Sequence, residues 1–233
     1  MLKKDLILRN PLSAMGLTLE DILPEGGFGA VLSRAGVGKT AFMVQLGIYA
    51  LSKSINVLHI SLDDPVQKIS LWYKEVFQRL GEPYENDQVK KLWDLILPHR
   101  FIMTFKVGRF SAPVLEERLT DLREQDIFNP GMIIIDGLPF VGPIQQSLDD
   151  LKILAEKYSI RIWFTAQTHR SEAPGPGGLP VFMQQVGDRF DFVLQLRPEK
   201  GKVHVKALKG DSGLSDSASL FLDPATMLVK ENK

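Results

Sequence analysis

The sequence predicts an α/β fold with a mainly parallel central sheet, helices on both faces and antiparallel β-hairpins at the C-terminal end. Three observations predict it. Short β-branched apolar runs alternate with longer stretches of three-four apolar spacing as far as about residue 190, the pattern of strands joined by helical crossovers. The first run, Val31-Leu32, passes into Ser33-Arg34-Ala35-Gly36-Val37-Gly38-Lys39-Thr40 and then an amphipathic segment at 41–51. That is the form of a phosphate-binding loop between a buried strand and a helix. Beyond residue 190 the helical spacing stops, and four short strand-like segments follow.

Taken in order, residues 30–32 form the strand before the loop and 56–61 the second strand. Residues 101–105, 132–135 and 161–165 supply the third, fourth and fifth. Between them, Ile69, Trp72, Tyr73, Val76, Phe77 and Leu80 keep helical spacing over 66–80, and Gly81 is expected to end that helix. A shorter helix at 89–97 closes at Pro98. Ser111 is the expected N-cap, with Pro113 in the first turn, of a helix reaching about residue 126. Residues 144–157 give the next helix. The final strands are expected at 191–196, 202–208, 219–222 and 227–229, with turns at Lys200-Gly201 and Asp223-Pro224. A Pro/Gly-rich stretch, 171–180, reads as a loop beside the fifth strand. With no fixed-period repeat, residues 1–233 read as one domain: an N-terminal segment 1–24, an α/β core 25–190 and a β extension 191–233.

Composition narrows the function classes. Hydrophobic residues make up 44% and charged residues 24%, which suits a soluble globular protein with a sizeable core. Lys plus Arg equals Asp plus Glu at 28 each, so no bulk charge draws the chain to nucleic acid or anionic lipid. The absence of cysteine excludes disulfides, thiolate metal sites and thiol catalysis. His59, His99, His169 and His204 are dispersed, with none at zinc-site spacing. The start, Met1-Leu2-Lys3-Lys4-Asp5-Leu6, lacks the apolar run of a signal peptide, and no run is long enough for a bilayer. The expected location is cytoplasmic, with no membrane partner.

The chemistry centres on the loop. Its N–H groups and the helix N-terminus favour phosphate, Lys39 can reach the β- and γ-phosphates, and the Thr40 hydroxyl can complete a Mg²⁺ shell. Residues 33–41, from Ser33 through Arg34, Ala35, Gly36, Val37, Gly38, Lys39 and Thr40 to Ala41, are the expected nucleotide-binding set. One position departs from the full pattern: Ser33 stands where the leading glycine of the motif falls. Met132-Ile133-Ile134-Ile135-Asp136-Gly137 puts a carboxylate at a strand tip, where Asp136 would contact Mg²⁺ through water. Asp63-Asp64 follow the second strand, which should lie beside the nucleotide. The two carboxylates, Asp63 and Asp64, are the candidates to polarise an attacking water, Asp63 the favoured one, since Asp64 is also placed to cap the next helix. Gln167, after the fifth strand, can sense the γ-phosphate or the attacking water. Lys209, with Lys206, ends a hairpin strand and could neutralise charge in a neighbouring subunit's site.

In this order, these motifs resemble the RecA-like ATPases, most closely the branch containing KaiC and its relatives. The resemblance runs from about residue 26 to 213, and Gly26-Gly27-Phe28 looks like that family's lead-in to the first strand. It implies a three-layer RecA-like fold, ATP with Mg²⁺, hydrolysis, and nucleotide lodged between subunits of a hexameric ring or filament. It assigns Lys39 and Thr40 to the phosphate loop, Asp136 to the metal, Gln167 to the sensor and Lys209 to a cation acting in trans. The family usually carries glutamates where this chain has Asp63-Asp64. A side chain one methylene shorter holds a water less closely, so hydrolysis is expected to be slow or absent.

Three function classes follow. The first is an oligomeric ATPase; the second, motivated by Asp63-Asp64, is a nucleotide-gated scaffold or binding module with little turnover. A small-molecule kinase is the third, and the lack of an Arg-rich lid argues against it. In RecA-type proteins the loops after the metal strand and the sensor strand meet DNA. The matching segments here are 137–147, with no Lys or Arg, and 168–188, with only Arg170. Phosphate contact drives nucleic-acid affinity, so DNA is disfavoured as a partner. A protein partner is left unidentified.

Overall fold

A computed structural model describes residues 2–4, 10–142, 144–168, 179–210 and 220–231. Among these residues, nine strands form one sheet: β1 (Phe28–Ser33), β2 (Val57–Ser61), β3 (Arg100–Thr104), β4 (Met132–Asp136), β5 (Arg161–Gln167), β6 (Phe192–Glu199), β7 (Lys202–Lys209), β8 (Leu220–Leu222) and β9 (Val229–Glu231). Their order is β3-β2-β4-β5-β1-β6-β7-β8-β9. The first six are parallel, and β6 to β9 pair as antiparallel neighbours. This is the expected α/β architecture with an antiparallel C-terminal end, consistent with a RecA-like fold.

The central strands are apolar on both faces because helices cover both. All six residues of β1 and all five of β4 are buried. One face packs under α1 (Lys39–Ser52), α2 (Val66–Gly81) and α3 (Asn86–Ile96), with Phe42, Tyr73, Phe77 and Trp163 in its core. The other packs under α4 (Ala112–Glu124) and α5 (Ile144–Lys157), around Leu119, Leu148, Phe164 and Phe190. Trp163 and Phe164, adjacent in β5, go to opposite cores, as strand alternation requires. Burying a large side chain of this kind contributes about 1.5–3 kcal/mol, so the two layers hold the strand tips in fixed register.

Several local expectations need correction. Helix α2 ends at Gly81 as expected, but through right-handed backbone at Glu82 (φ −47°) and not through a left-handed glycine cap; the Val89 side chain packs over Gly81. Asp64 does not cap α2. The N-cap is Pro65, which has no side-chain donor or acceptor. Ser111 occupies the N-cap of α4 but makes no side-chain cap bond. The Lys200-Gly201 turn is as expected, with both residues at positive φ (48° and 79°), the conformation that matches strand twist in a two-residue hairpin. Beyond Asp223 the chain makes a full turn, with Met227 N–H donating to the Asp223 carbonyl (2.7 Å), which moves β9 two residues later than its apolar run suggests. Of the 171–180 loop, 171–178 lie outside the described residues, as do Arg170, His169 and Ser219.

The C-terminal hairpin reaches back to the phosphate loop. Gln45 of α1, nearly fully buried, donates to the Met227 carbonyl (2.8 Å) and accepts from Val229 N–H (2.9 Å). Arg79 of α2 donates to the Thr226 carbonyl (2.7 Å). Leu222 lies against Gly38, where an added Cβ would come within 2.5 Å of it.

Candidate functional site

Parallel strands end at one edge of the sheet, and the first helix starts there. Register aligns Ser33 with Gln167 across β1 and β5, and Ser61 with Asp136 across β2 and β4. The tips of four strands therefore surround the 34–38 loop, in the crevice where ligands of open α/β sheets bind.

Gly36 and Gly38 hold left-handed backbone (φ 73° and 111°), which turns the chain sharply enough to start α1 at Lys39. The helical ladder begins with Phe42 N–H donating to the Gly38 carbonyl (3.0 Å). The N–H groups of Lys39, Thr40 and Ala41 precede it, in the first turn, where an anion is favoured. Arg34, Ala35 and Gly36 are exposed, whereas Val37 packs against the core. Ser33 is buried, and its hydroxyl donates to the Arg34 carbonyl (2.9 Å). The Lys39 ammonium curls back over the loop, donating to the carbonyls of Ser33 (3.2 Å) and Arg34 (3.1 Å). Burial lowers its pKa, and the charges of Asp136 and Asp63 oppose that shift.

Beside the loop, Asp136 is held from two sides. Thr40 Oγ1 donates to Oδ2 (2.8 Å) and Thr165 Oγ1 to Oδ1 (2.6 Å), while Gly137 N–H donates to Thr165 Oγ1 (2.9 Å). The carboxylate residue is 9% exposed. The donor set tests which metal would suit this place. No group of three or more His, Cys, Asp or Glu that could hold a metal exists among the described residues, so the protein offers no closed cage. One hydroxyl and one carboxylate, next to a phosphate loop, fit a Mg²⁺ ion whose other ligands are phosphate oxygens and water.

The β2 tip differs. Asp63 is exposed, and its Oδ2 lies over Gly137, 2.6 Å from where a Cβ would stand. Partial desolvation and the carboxylates of Asp136 and Asp64 raise its pKa, with Lys39 opposing. Asp64 instead pairs with Lys68 one turn on (2.8 Å), and its N–H donates to Ser61 Oγ (2.9 Å). Gln167 is exposed at the β5 tip, and the next N–H, of Thr168, donates to the Ser33 carbonyl (2.9 Å).

Lys209 stands apart from this cluster. It pairs with Val193 near the start of β6, and Val193 pairs with Ala30 near the start of β1, so Lys209 is at the opposite edge from the phosphate loop. Its ammonium donates to the Gly187 carbonyl (2.8 Å) of the same chain. Lys206 is exposed on β7.

Two site residues carried no motif. Thr165 and His59 are polar residues inside apolar strand runs, Phe164-Thr165-Ala166 and Leu58-His59-Ile60, and that interruption is the signal that marks them. His59 has no exposed surface, and burial pushes its pKa down to about 4 against the pull of Asp136, so it is neutral at pH 7.

A family model described as AAA domain matches residues 5–153. That span is more than half of the 233 residues and contains the phosphate loop, Asp63-Asp64 and Asp136. No curated protein matches the chain. The chain belongs to the AAA-domain family, of P-loop ATPase type.

Proposed function

We propose that this AAA-domain chain is an ATP-binding, Mg²⁺-dependent ATPase of the RecA/KaiC-like type. In this reading it works as a cytoplasmic homo-oligomer, a ring or filament, with nucleotide at the subunit interface. The observation that carries the reading is the 2.8 Å bond from Thr40 to Asp136, on the helix that Lys39 begins. It places a hydroxyl and a carboxylate side by side next to the N–H groups that favour phosphate.

The chain's residues divide the work. The loop 33–38 and the first turn, through Ala41, hold the phosphates; Lys39 turns from its carbonyl partners toward the terminal phosphate oxygens. Thr40 and Asp136 hold Mg²⁺, which supplies charge neutralisation on the phosphates when bound. Asp63 accepts a proton from the attacking water, and Gln167 orients that water or the γ-phosphate. Lys209, too far along the sheet to reach its own loop, acts on the neighbouring subunit's nucleotide after leaving the Gly187 carbonyl. DNA contact is not part of this reading, and salt-sensitive binding of single-stranded DNA in the presence of ATP would overturn that exclusion.

ATP binding and phosphate release test the reading. Wild-type protein is expected to bind ATP with Mg²⁺ and turn it over, and Lys39→Ala to lower turnover by about 10²–10³. Identical behaviour of Lys39→Ala and wild type would remove it. The particle mass should rise on adding ATP with Mg²⁺. A second reading, a nucleotide-gated scaffold, draws on the exposed, short-armed Asp63. ATP left intact for hours in single turnover while the particle mass still rises would favour it.

A further inference from the structure

His59 stands in the middle of β2 with no exposed surface, and its two ring nitrogens face different groups. Nδ1 is 3.2 Å from Tyr73 Oη. Nε2 has no hydrogen-bond partner among the described residues, and it lies 4.0 Å from Asp136 Oδ2. Tyr73 is itself fully buried, and its hydroxyl is pressed against α1 so closely that a Cβ on Gly47 would stand 2.5 Å from the oxygen.

A neutral imidazole carries one N–H, and the two placements of that proton are not equivalent here. With the proton on Nδ1, the buried tyrosine proton has no acceptor on His59, and an Nε2 lone pair faces a carboxylate. With it on Nε2, Tyr73 donates to Nδ1, and the positive end of the N–H dipole faces Asp136. Only the second arrangement suits both ends of the ring, since a buried polar group without its partner is costly. At 4.0 Å the contact with Asp136 is longer than a hydrogen bond and acts through charge and dipole.

We propose that His59 is a positioning residue for the metal carboxylate: Tyr73 fixes its tautomer, and its Nε2–H end orients Asp136 from the side away from Thr165. Thr40 and Thr165 hold the carboxylate oxygens from the loop helix and from β5, and His59 backs the carboxylate from within β2, across β4 from Thr165. The inference rests on the reading of Asp136 as the Mg²⁺ aspartate. A partner of this kind, behind a ligand rather than on the metal, typically changes metal affinity by about 10–100-fold.

The test uses the full chain in two arms. Long-range proton–nitrogen NMR on metal-free protein is expected to show His59 as the neutral Nε2–H tautomer, with Tyr73→Phe shifting it toward a mixture. Titration of Mg²⁺ into ATP-loaded protein is expected to give a half-saturating concentration about tenfold or more higher in His59→Phe. Metal-free ATP affinity should stay within about twofold, because that readout reports the phosphate loop. His59→Gln, whose amide N–H can occupy the Nε2 position, should recover to within about threefold of wild type. A purely structural role would lower stability without separating the Mg²⁺ response from ATP affinity. An Nδ1–H tautomer in the wild type, or an unchanged Mg²⁺ response in both variants, overturns the proposal while leaving the ATPase reading standing. If the wild type binds no ATP with or without Mg²⁺, the ATPase reading falls and this inference with it.

Discussion

The tips of β4 and β2 lie side by side, with Asp136 in register with Ser61, yet the aspartates they present are in opposite conditions. Asp136 is almost buried and gripped by two threonine hydroxyls, from the loop helix and from β5. Asp63 is exposed, accepts no hydrogen bond from a described residue, and is pushed toward its protonated form by partial desolvation and by its carboxylate neighbours. A carboxylate with its lone pairs directed by fixed donors suits holding something in place. One with an unclaimed lone pair and a raised pKa suits taking a proton. Two residues of one chemical type are thus suited to different tasks, holding a ligand and taking a proton, by what surrounds them.

The division is broken most severely at Asp136. Replacing it with alanine removes the acceptor for two hydroxyls and the carboxylate proposed to hold Mg²⁺ together, and Mg²⁺-dependent turnover should fall by about 10²–10³. Unfolding by urea should show a loss of about 1–3 kcal/mol from the stranded Thr165 and Thr40 donors. An Asp136→Ala protein with wild-type turnover would show that the grip of the threonines serves the fold alone.

Asp63→Asn is the next test, because it keeps the shape and removes the proton acceptor. Turnover should drop by about 10²-fold with ATP affinity nearly unchanged. Equal turnover in the two proteins would mean that the β2 tip performs no proton transfer and would favour the scaffold reading. The smallest effect concerns pH. Because the Asp63 carboxyl is raised, activity should be lost, as pH falls, at a higher pH than an ordinary carboxylate would give. Asp64→Asn removes one of the charges responsible, so the acid limb of the rate profile should move to lower pH. A limb that does not move would separate the observed ionisation from Asp63.

Much of this site is legible in the sequence because it is local. Backbone N–H groups, a lysine and a threonine on consecutive residues need no tertiary contact to be recognised at 36–40, and Asp136 is marked by the four apolar residues before it. What brings Thr165 to Asp136 is the sheet order, in which β5 lies between β1 and β4, and no local pattern encodes strand order. The same holds for Lys209, whose place at the far edge follows from the antiparallel return of β7 along β6. The packing of the C-terminal hairpin on α1 is equally long-range: it depends on Gln45, one amide in the apolar middle of that helix, meeting backbone about 180 residues away. Asp64 was open to two local roles, and the proline after it settled the cap position, which leaves its carboxylate to Lys68.

The most direct test of the two-aspartate division is ATP affinity measured with and without Mg²⁺ on wild type, Asp136→Ala and Asp63→Asn. Mg²⁺ should tighten binding about tenfold or more in wild type and Asp63→Asn, and make no difference in Asp136→Ala. A Mg²⁺ effect that survives in Asp136→Ala, or disappears in Asp63→Asn, would contradict the account.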